Sequence, residues 1–249
     1  MKKVFIVLAL ISQSALADEA TTLFQQANRY YEAGQYAEAT AAYEKILASG
    51  MENWQVHYNL GNAYFKQRQL GKAILYYEKA QALNPDSEDI RFNLDLANIS
   101  VIDRIPVPPR SLVVVWLDTA LHVVSLRLAA ILTAALWVLF FILLIFKLLA
   151  RGGLVQRLSQ RLLWPSLVVW VIAAIIFGWQ LYEKSSYRYG IVLASRVVVT
   201  SAPSAVATEV FTLHEGVRVQ LEAASGTYQR IRLVDGKVGW MPREVLGQI

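Results

Sequence analysis

Two stretches of this chain run without a charge, Leu128 to Phe146 over 19 residues and Leu162 to Tyr182 over 21. An α-helix of about 20 apolar residues crosses the hydrocarbon core of a bilayer, so the pattern predicts two membrane-spanning helices within residues 128–182. Ahead of them, residues 18–102 place apolar positions at helical spacing and repeat themselves at a shift of 34. Ala27 falls on Gly61, Tyr30 on Tyr64, Ala39 on Ala73 and Tyr43 on Tyr77. A repeat of that length built from helix pairs predicts an all-α array, closed by an apolar helical stretch from Glu88 to Ile102. Behind the hairpin the period changes. Ile191–Thr200, Glu209–Leu213, Val217–Glu222, Tyr228–Val234 and Lys237–Trp240 are short β-branched runs, punctuated by Gly216, Gly226 and Asp235-Gly236. Five strands in residues 187–249 predict a small all-β barrel.

The connecting segments complete this plan. Pro106, Pro108 and Pro109 break the helical pattern and make Asp103–Ser111 a stiff, extended connector, the first part of a linker and interfacial segment over residues 103–127. Within it, Leu112 to Leu126 is too short to span and is interrupted by Asp118 and His122, which suits a helix lying in the membrane interface. Residues 1–17 carry Lys2 and Lys3, the apolar run Val4–Ile11 and Ala15-Leu16-Ala17, the pattern of a signal peptide cleaved after Ala17.

Charge then orients the chain. Between the two spans, the expected loop 147–161 holds Lys147, Arg151, Arg157 and Arg161 with no Asp or Glu, the composition of a loop kept in the cytoplasm. Both flanking domains are therefore expected on the opposite face, in the periplasm of a two-pass inner-membrane protein. The formal charge of +5 does not indicate nucleic acid: Lys2 and Lys3 supply two positive charges and the loop four, leaving −1 for the rest. With no cysteine, thiolate chemistry and Cys-ligated metals are excluded. His57, His122 and His214 stand one per region, and no Ser, His and Asp constellation shares a motif, so no enzyme, cofactor or metal site is expected. Asp118 and His122 sit four apart on one helical face; two ligands do not make a site, and a solvated ion pair is the simpler reading. Neither span carries a central ionisable residue, which argues against an ion or proton path.

Three resemblances add to this reading. Leu60-Gly61, Tyr64, Ala73, Tyr77, Ala80 and Pro85 make Trp54–Ser87 similar to a tetratricopeptide repeat, with His57 where that family usually has Trp. The preceding unit, about residues 20–53, is a degenerate copy. The resemblance implies an inner surface lined by Asn28, Tyr31, Tyr58, Asn62, Phe65 and Lys66, a candidate peptide groove. Phe24 and Asp89 on that surface, with Lys66 nearly alone, argue against a clamp for a terminal carboxylate. Gly216-Val217-Arg218-Val219, Tyr228-Gln229-Arg230-Ile231 and Asp235-Gly236-Lys237-Val238-Gly239-Trp240 resemble the bacterial SH3 domain, implying a shallow groove at Pro203, Tyr228 and Trp240. Tyr228 replaces the usual Trp there, Thr200 stands where Arg is expected, and Trp240 is weighted toward the core. The order of these parts, with the cap Glu88-Asp89-Ile90-Arg91-Phe92-Asn93-Leu94, resembles the BatE branch of the Bacteroides aerotolerance (Bat) family. That resemblance implies membrane partners with von Willebrand A domains, a MoxR-type ATPase and a part in envelope stress tolerance. The expected function is a non-catalytic scaffold in contact with the lipid bilayer, with a sensor that binds peptidoglycan through the SH3-like part as the alternative.

Overall fold

A computed structural model of the chain describes residues 20–109, 111–150, 152–186 and 188–249, with side chains left aside at Ser185 and Ser186. The signal peptide expected at residues 1–17 lies outside the described residues. The chain divides into two compact units, one made of the residues up to Val107 together with Arg188–Ile249, the other of Pro108–Tyr187.

In the first unit, helices α1 (20–32), α2 (Tyr36–Ala48), α3 (Trp54–Lys66), α4 (Leu70–Leu83) and α5 (Glu88–Ile99) form two antiparallel pairs and a fifth helix. Local chemistry sets their ends. Asn53 caps α3 by accepting from the Gln55 amide at 3.0 Å, and Ser87 caps α5 through the Ile90 amide at 3.4 Å. The turns inside the two pairs both need a left-handed residue: Gly34 takes it at φ 75° in the first, and Arg68, one repeat later, takes it at φ 60° in the second. Ala27, Ala39, Leu60, Ala63, Ala73 and Tyr77 are buried between the helices. A Cβ on Gly61 would come within 2.7 Å of the Tyr77 ring, which is why the crossing of α3 and α4 takes glycine there.

The C-terminal strands correct the expected barrel. There are seven: β1 (Arg188–Val192), β2 (Arg196–Thr200), β3 (Glu209–His214), β4 (Arg218–Ser225), β5 (Tyr228–Arg232), β6 (Val238–Pro242) and β7 (Leu246–Gln248). They pair antiparallel in the order β3-β2-β6-β5-β4-β1-β7. The ladder ends on β3 and β7, so the sheet is open rather than a closed barrel. The run Ile191–Thr200, read from sequence as one strand, is broken at Leu193–Ser195 into β1 and β2. Val192, Val199, Val219, Ile231 and Met241 form the buried side of the sheet.

What the pattern along the chain does not announce is that this sheet packs on α4. Added Cβ atoms show how close the approach is: at Gly71 one would lie 2.6 Å from the Val192 carbonyl, at Gly247 2.4 Å from a Leu75 methyl, and at Gly216 2.8 Å from Val101 and 2.9 Å from Ile74. Polar contacts bracket the apolar ones. The Glu215 carboxylate accepts from the Gly71 amide at 2.9 Å, satisfying a donor in the first turn of α4 that has no partner within the helix. Asp103 accepts from the His214 amide at 2.6 Å and faces its ring Nδ1 at 3.0 Å, and Arg218 pairs with Glu78 at 3.4 Å. Repeat arrays normally need three or more units to bury their ends. Here the sheet covers α4, the second helix of the second pair.

The second unit holds α6 (Leu112–His122), α7 (Leu126–Leu149) and α8 (Gly153–Ser186). α7 and α8 are both long and apolar enough to cross a membrane. They are longer than the apolar stretches alone suggest, because most of the basic segment 147–161 is helical: Lys147 lies in the last turn of α7, and Arg157 and Arg161 ride on α8. Pro165 lies inside α8. At about 1.5 Å per residue the 34 residues of α8 exceed the thickness of a hydrocarbon core by several turns. Trp137 and Trp170 pack across the hairpin with ring centroids 4.5 Å apart. Ser111 caps α6, which has no buried residue.

Candidate functional site: a polar groove along the repeats

The first helices of successive pairs present one polar row. Asn28, Asn59, Asn62 and Asn93 come from α1, α3, α3 and α5, and Tyr43 and Tyr77 reach the row from the second helices. Tyr43 donates its hydroxyl to Asn28 Oδ1 at 2.5 Å while Asn59 Nδ2 donates to the same oxygen at 3.1 Å. One repeat later, Tyr77 donates to Asn62 Oδ1 at 2.7 Å and Asn93 Nδ2 donates to that oxygen at 3.0 Å. Asn93 also donates to the Tyr58 hydroxyl at 2.8 Å. The 34-residue period thus governs hydrogen bonds as well as apolar packing.

This network has a chemical consequence. Each acceptor oxygen of Asn28 and Asn62 carries two donors, which fixes the amide plane and leaves both amide nitrogens without a protein partner among the described residues. The tyrosines remain donors throughout the physiological range: burial pushes Tyr43 up to about 12, and burial also raises Tyr77 and Tyr31.

Two adjoining cavities of about 320 Å³ each follow the row. Asn28, Tyr31, Glu32, Tyr43, Asn59 and Asn62 line the first. Tyr31 and Asn62 are shared with the second, which adds Tyr58, Phe65, Lys66, Tyr77, Asn93 and Leu96. All six residues expected on the inner surface, Asn28, Tyr31, Tyr58, Asn62, Phe65 and Lys66, are therefore brought together. Sequence reasoning placed neither Asn59 and Asn93, although they too are 34 apart, nor Tyr43 and Tyr77 in the groove. Their rings are buried and their hydroxyls reach the groove. The signal that would have found them is the 34-residue comparison applied to polar positions.

The residues expected in an SH3-like groove lie elsewhere in the same unit. Trp240 pairs across from Arg230 in the sheet and Tyr228 lies two residues before Arg230, so all three share a face opposite the buried Gln229, Ile231 and Met241. Trp240 is thus half-buried on the outer face, which corrects its assignment to the core; Pro203 is exposed in the β2–β3 loop. His57, in the position the repeat family gives to Trp, is 3% exposed, stacks on Tyr76 at 5.9 Å and has an unpartnered Nδ1. Burial, helped by Lys79, holds its pKa below the usual histidine value.

Comparison with known proteins agrees with this geometry for one part of the chain. Residues 24–88, which contain all six expected groove residues, match the family model of the tetratricopeptide repeat. No curated protein matches the chain. Tetratricopeptide repeats are protein-interaction modules, and the match covers every groove residue except Asn93 and Leu96 of α5.

Proposed function

We propose that this chain is a non-catalytic, membrane-anchored adaptor whose repeat groove takes an extended segment of a partner protein. The observation that carries the reading is the repeated Tyr–Asn network. The oxygens of Asn28 and Asn62 are each taken by two donors, so these amides stand one repeat apart in fixed orientation and present their N–H groups to the carbonyls of an extended segment. Phe65 and Leu96 add an apolar wall, and Glu32 and Lys66 a charge of each sign, which suits a mixed-sequence peptide better than a single charged terminus. The sheet stiffens the array from α4, so the groove is held in shape before a partner arrives.

In this reading α7 and α8 cross the bacterial inner membrane with the basic turn in the cytoplasm, which puts the groove and the sheet in the periplasm. The chain has no cysteine, so Leu154→Cys carries a unique thiol; an impermeant maleimide should label it only after the membrane is opened. Following the resemblance to the BatE branch of the Bat family, the partners are membrane proteins with von Willebrand A domains, working with a MoxR-type ATPase. Capture of the full-length protein from crosslinked membranes should recover a von Willebrand A protein, and Asn28→Ala with Asn62→Ala should lose it. Equal recovery by the variant would remove the groove from the account.

A second reading, a peptidoglycan sensor, is favoured by the outer-face position of the half-buried Tyr228 and Trp240, since accessible aromatic edges suit sugar and peptide faces. It requires the full-length protein to sediment with purified sacculi, and Trp240→Ala to abolish that.

A further inference from the structure

At the junction of α6 and α8 the ring of His122 stands between two carboxylates, Asp118 on its own helix and Glu183 on α8. His122 Nδ1 lies 2.8 Å from the Asp118 carbonyl oxygen, one helical turn back. With its proton on Nδ1 to serve that contact, the neutral ring keeps its lone pair on Nε2. Nε2 in turn lies 3.2 Å from Oε2 of Glu183, which arrives from the last turns of α8; that oxygen is buried, and His122 is its ion-pair partner. Asp118 Oδ1 stands 3.3 Å from Nδ1, and one ligand atom from each of the three side chains falls within 4.8 Å of the others. One turn earlier on α8, Gln180 is 6% exposed and donates to the carbonyls of Leu121 at 2.5 Å and Val124 at 3.0 Å. Its Oε1 is buried and has no donor among the described residues. An imidazole held between two carboxylates, with this buried amide one turn away along α8, suits a bound cation.

The geometry points to Asp118, His122 and Glu183 as a binding site for a first-row transition-metal dication, with Zn²⁺ the best match, clipping α6 to α8. Zinc takes imidazole nitrogen and carboxylate oxygen at about 2.0–2.2 Å, so two of its ligand atoms at a tetrahedral angle are about 3.3 Å apart, the spacing found between His122 Nε2 and Glu183 Oε2. A metal-ligating histidine ordinarily donates its other ring N–H to a carbonyl or carboxylate, as Nδ1 does here to Asp118. Calcium and magnesium take all-oxygen shells and do not suit an imidazole. Three protein ligands leave a coordination position for water. The expected solvated pair of Asp118 and His122 lacked a third ligand; the fold supplies it from α8.

The test uses the purified full-length protein in detergent, freed of metal by a chelator and titrated with Zn²⁺ by calorimetry, with bound metal counted by elemental analysis. The expected result is one equivalent of Zn²⁺ per chain. His122→Ala and the conservative Glu183→Gln and Asp118→Asn should each weaken it about tenfold or more. His214→Ala, which removes a histidine already paired with Asp103, should leave it unchanged, and Ca²⁺ should not compete. Helix content by circular dichroism identifies any variant that misfolds, and the two conservative variants keep the helices' shape. Absence of saturable Zn²⁺ binding, or binding that Glu183→Gln and Asp118→Asn do not weaken, would overturn the assignment and leave a protonated histidine as the cation between the two carboxylates.

Discussion

The packing of the sheet on α4 makes an unusual prediction for Gly71→Ala. In an ordinary helix the change is favourable, because alanine exceeds glycine in helix propensity by up to about 1 kcal/mol. Gly71 is the second residue of α4, and its added methyl would sit 2.6 Å from the Val192 carbonyl oxygen and 3.1 Å from the Leu193 Cα. Both are backbone atoms, so no side chain can rotate away. Restoring a normal contact needs a shift of roughly half an ångström or more, and the same movement loosens Leu75 from Gly247, Ile74 from Gly216 and the Glu215 cap from the Gly71 amide. Overpacking of this kind costs about 1–3 kcal/mol, so the clash outweighs the propensity gain and the net change is a loss of about 1–2 kcal/mol. Hydrogen exchange of the full-length protein in detergent reads it directly, with protection expected to fall in α4 and β1 together. If Gly71→Ala instead raised protection in α4, as at an exposed helical glycine, the repeats and the sheet would not form one unit.

Three further outcomes follow from the same contacts. Asn62→Ala removes the acceptor shared by Tyr77 and Asn93 and should cost about 1–3 kcal/mol in chemical denaturation, whereas Tyr77→Phe, which removes donor and hydroxyl together, should cost about 0.5–1.5 kcal/mol. Glu215→Ala strips the first turn of α4 of a carboxylate acceptor and should lower stability by about 1 kcal/mol, seen as faster exchange at the start of that helix. His57 binds its proton less readily folded than unfolded, so its neutral form stabilises the fold above the ordinary histidine pKa, and that contribution is lost as pH falls from about 6.5 toward the depressed folded value. Melting profiles from pH 7.5 to 5.5 should therefore fall more steeply for the wild type than for His57→Phe.

Much of the plan was legible because it is periodic. A 34-residue repeat states its own geometry, since Gly61, Ala73 and Tyr77 each have a size that only a helix crossing explains, and two long uncharged runs can hardly be anything but long apolar helices. The six inner-surface residues followed from the resemblance to the tetratricopeptide repeat that this period supports. What stayed hidden depends on pairs distant in the chain. Gly71, Gly216 and Gly247 read locally as a weak helix position and two turns, and their purpose shows only when α4 meets the sheet. Glu215 reads as a solvated acid, yet it caps a helix 144 residues earlier. Strand runs do not specify closure, so an open sheet with β3 and β7 at its edges was read as a barrel. A charged segment between apolar ones suggested a loop, but Lys, Arg, Gln and Leu are good helix formers, and 153–161 simply continues α8. At the α6–α8 junction, sequence spacing relates Asp118 to His122 and says nothing of Glu183.

The most direct test of the groove is site-specific photo-crosslinking of the full-length protein in native membranes, with the photoreactive residue placed at Phe65 inside the second cavity and, separately, at the exposed Lys45 on α2. The account predicts a discrete adduct with a membrane protein carrying a von Willebrand A domain from position 65, absent from position 45 and lost when Asn28→Ala and Asn62→Ala are added. The same adduct from both positions, or one from position 65 that survives the asparagine substitutions, would contradict it.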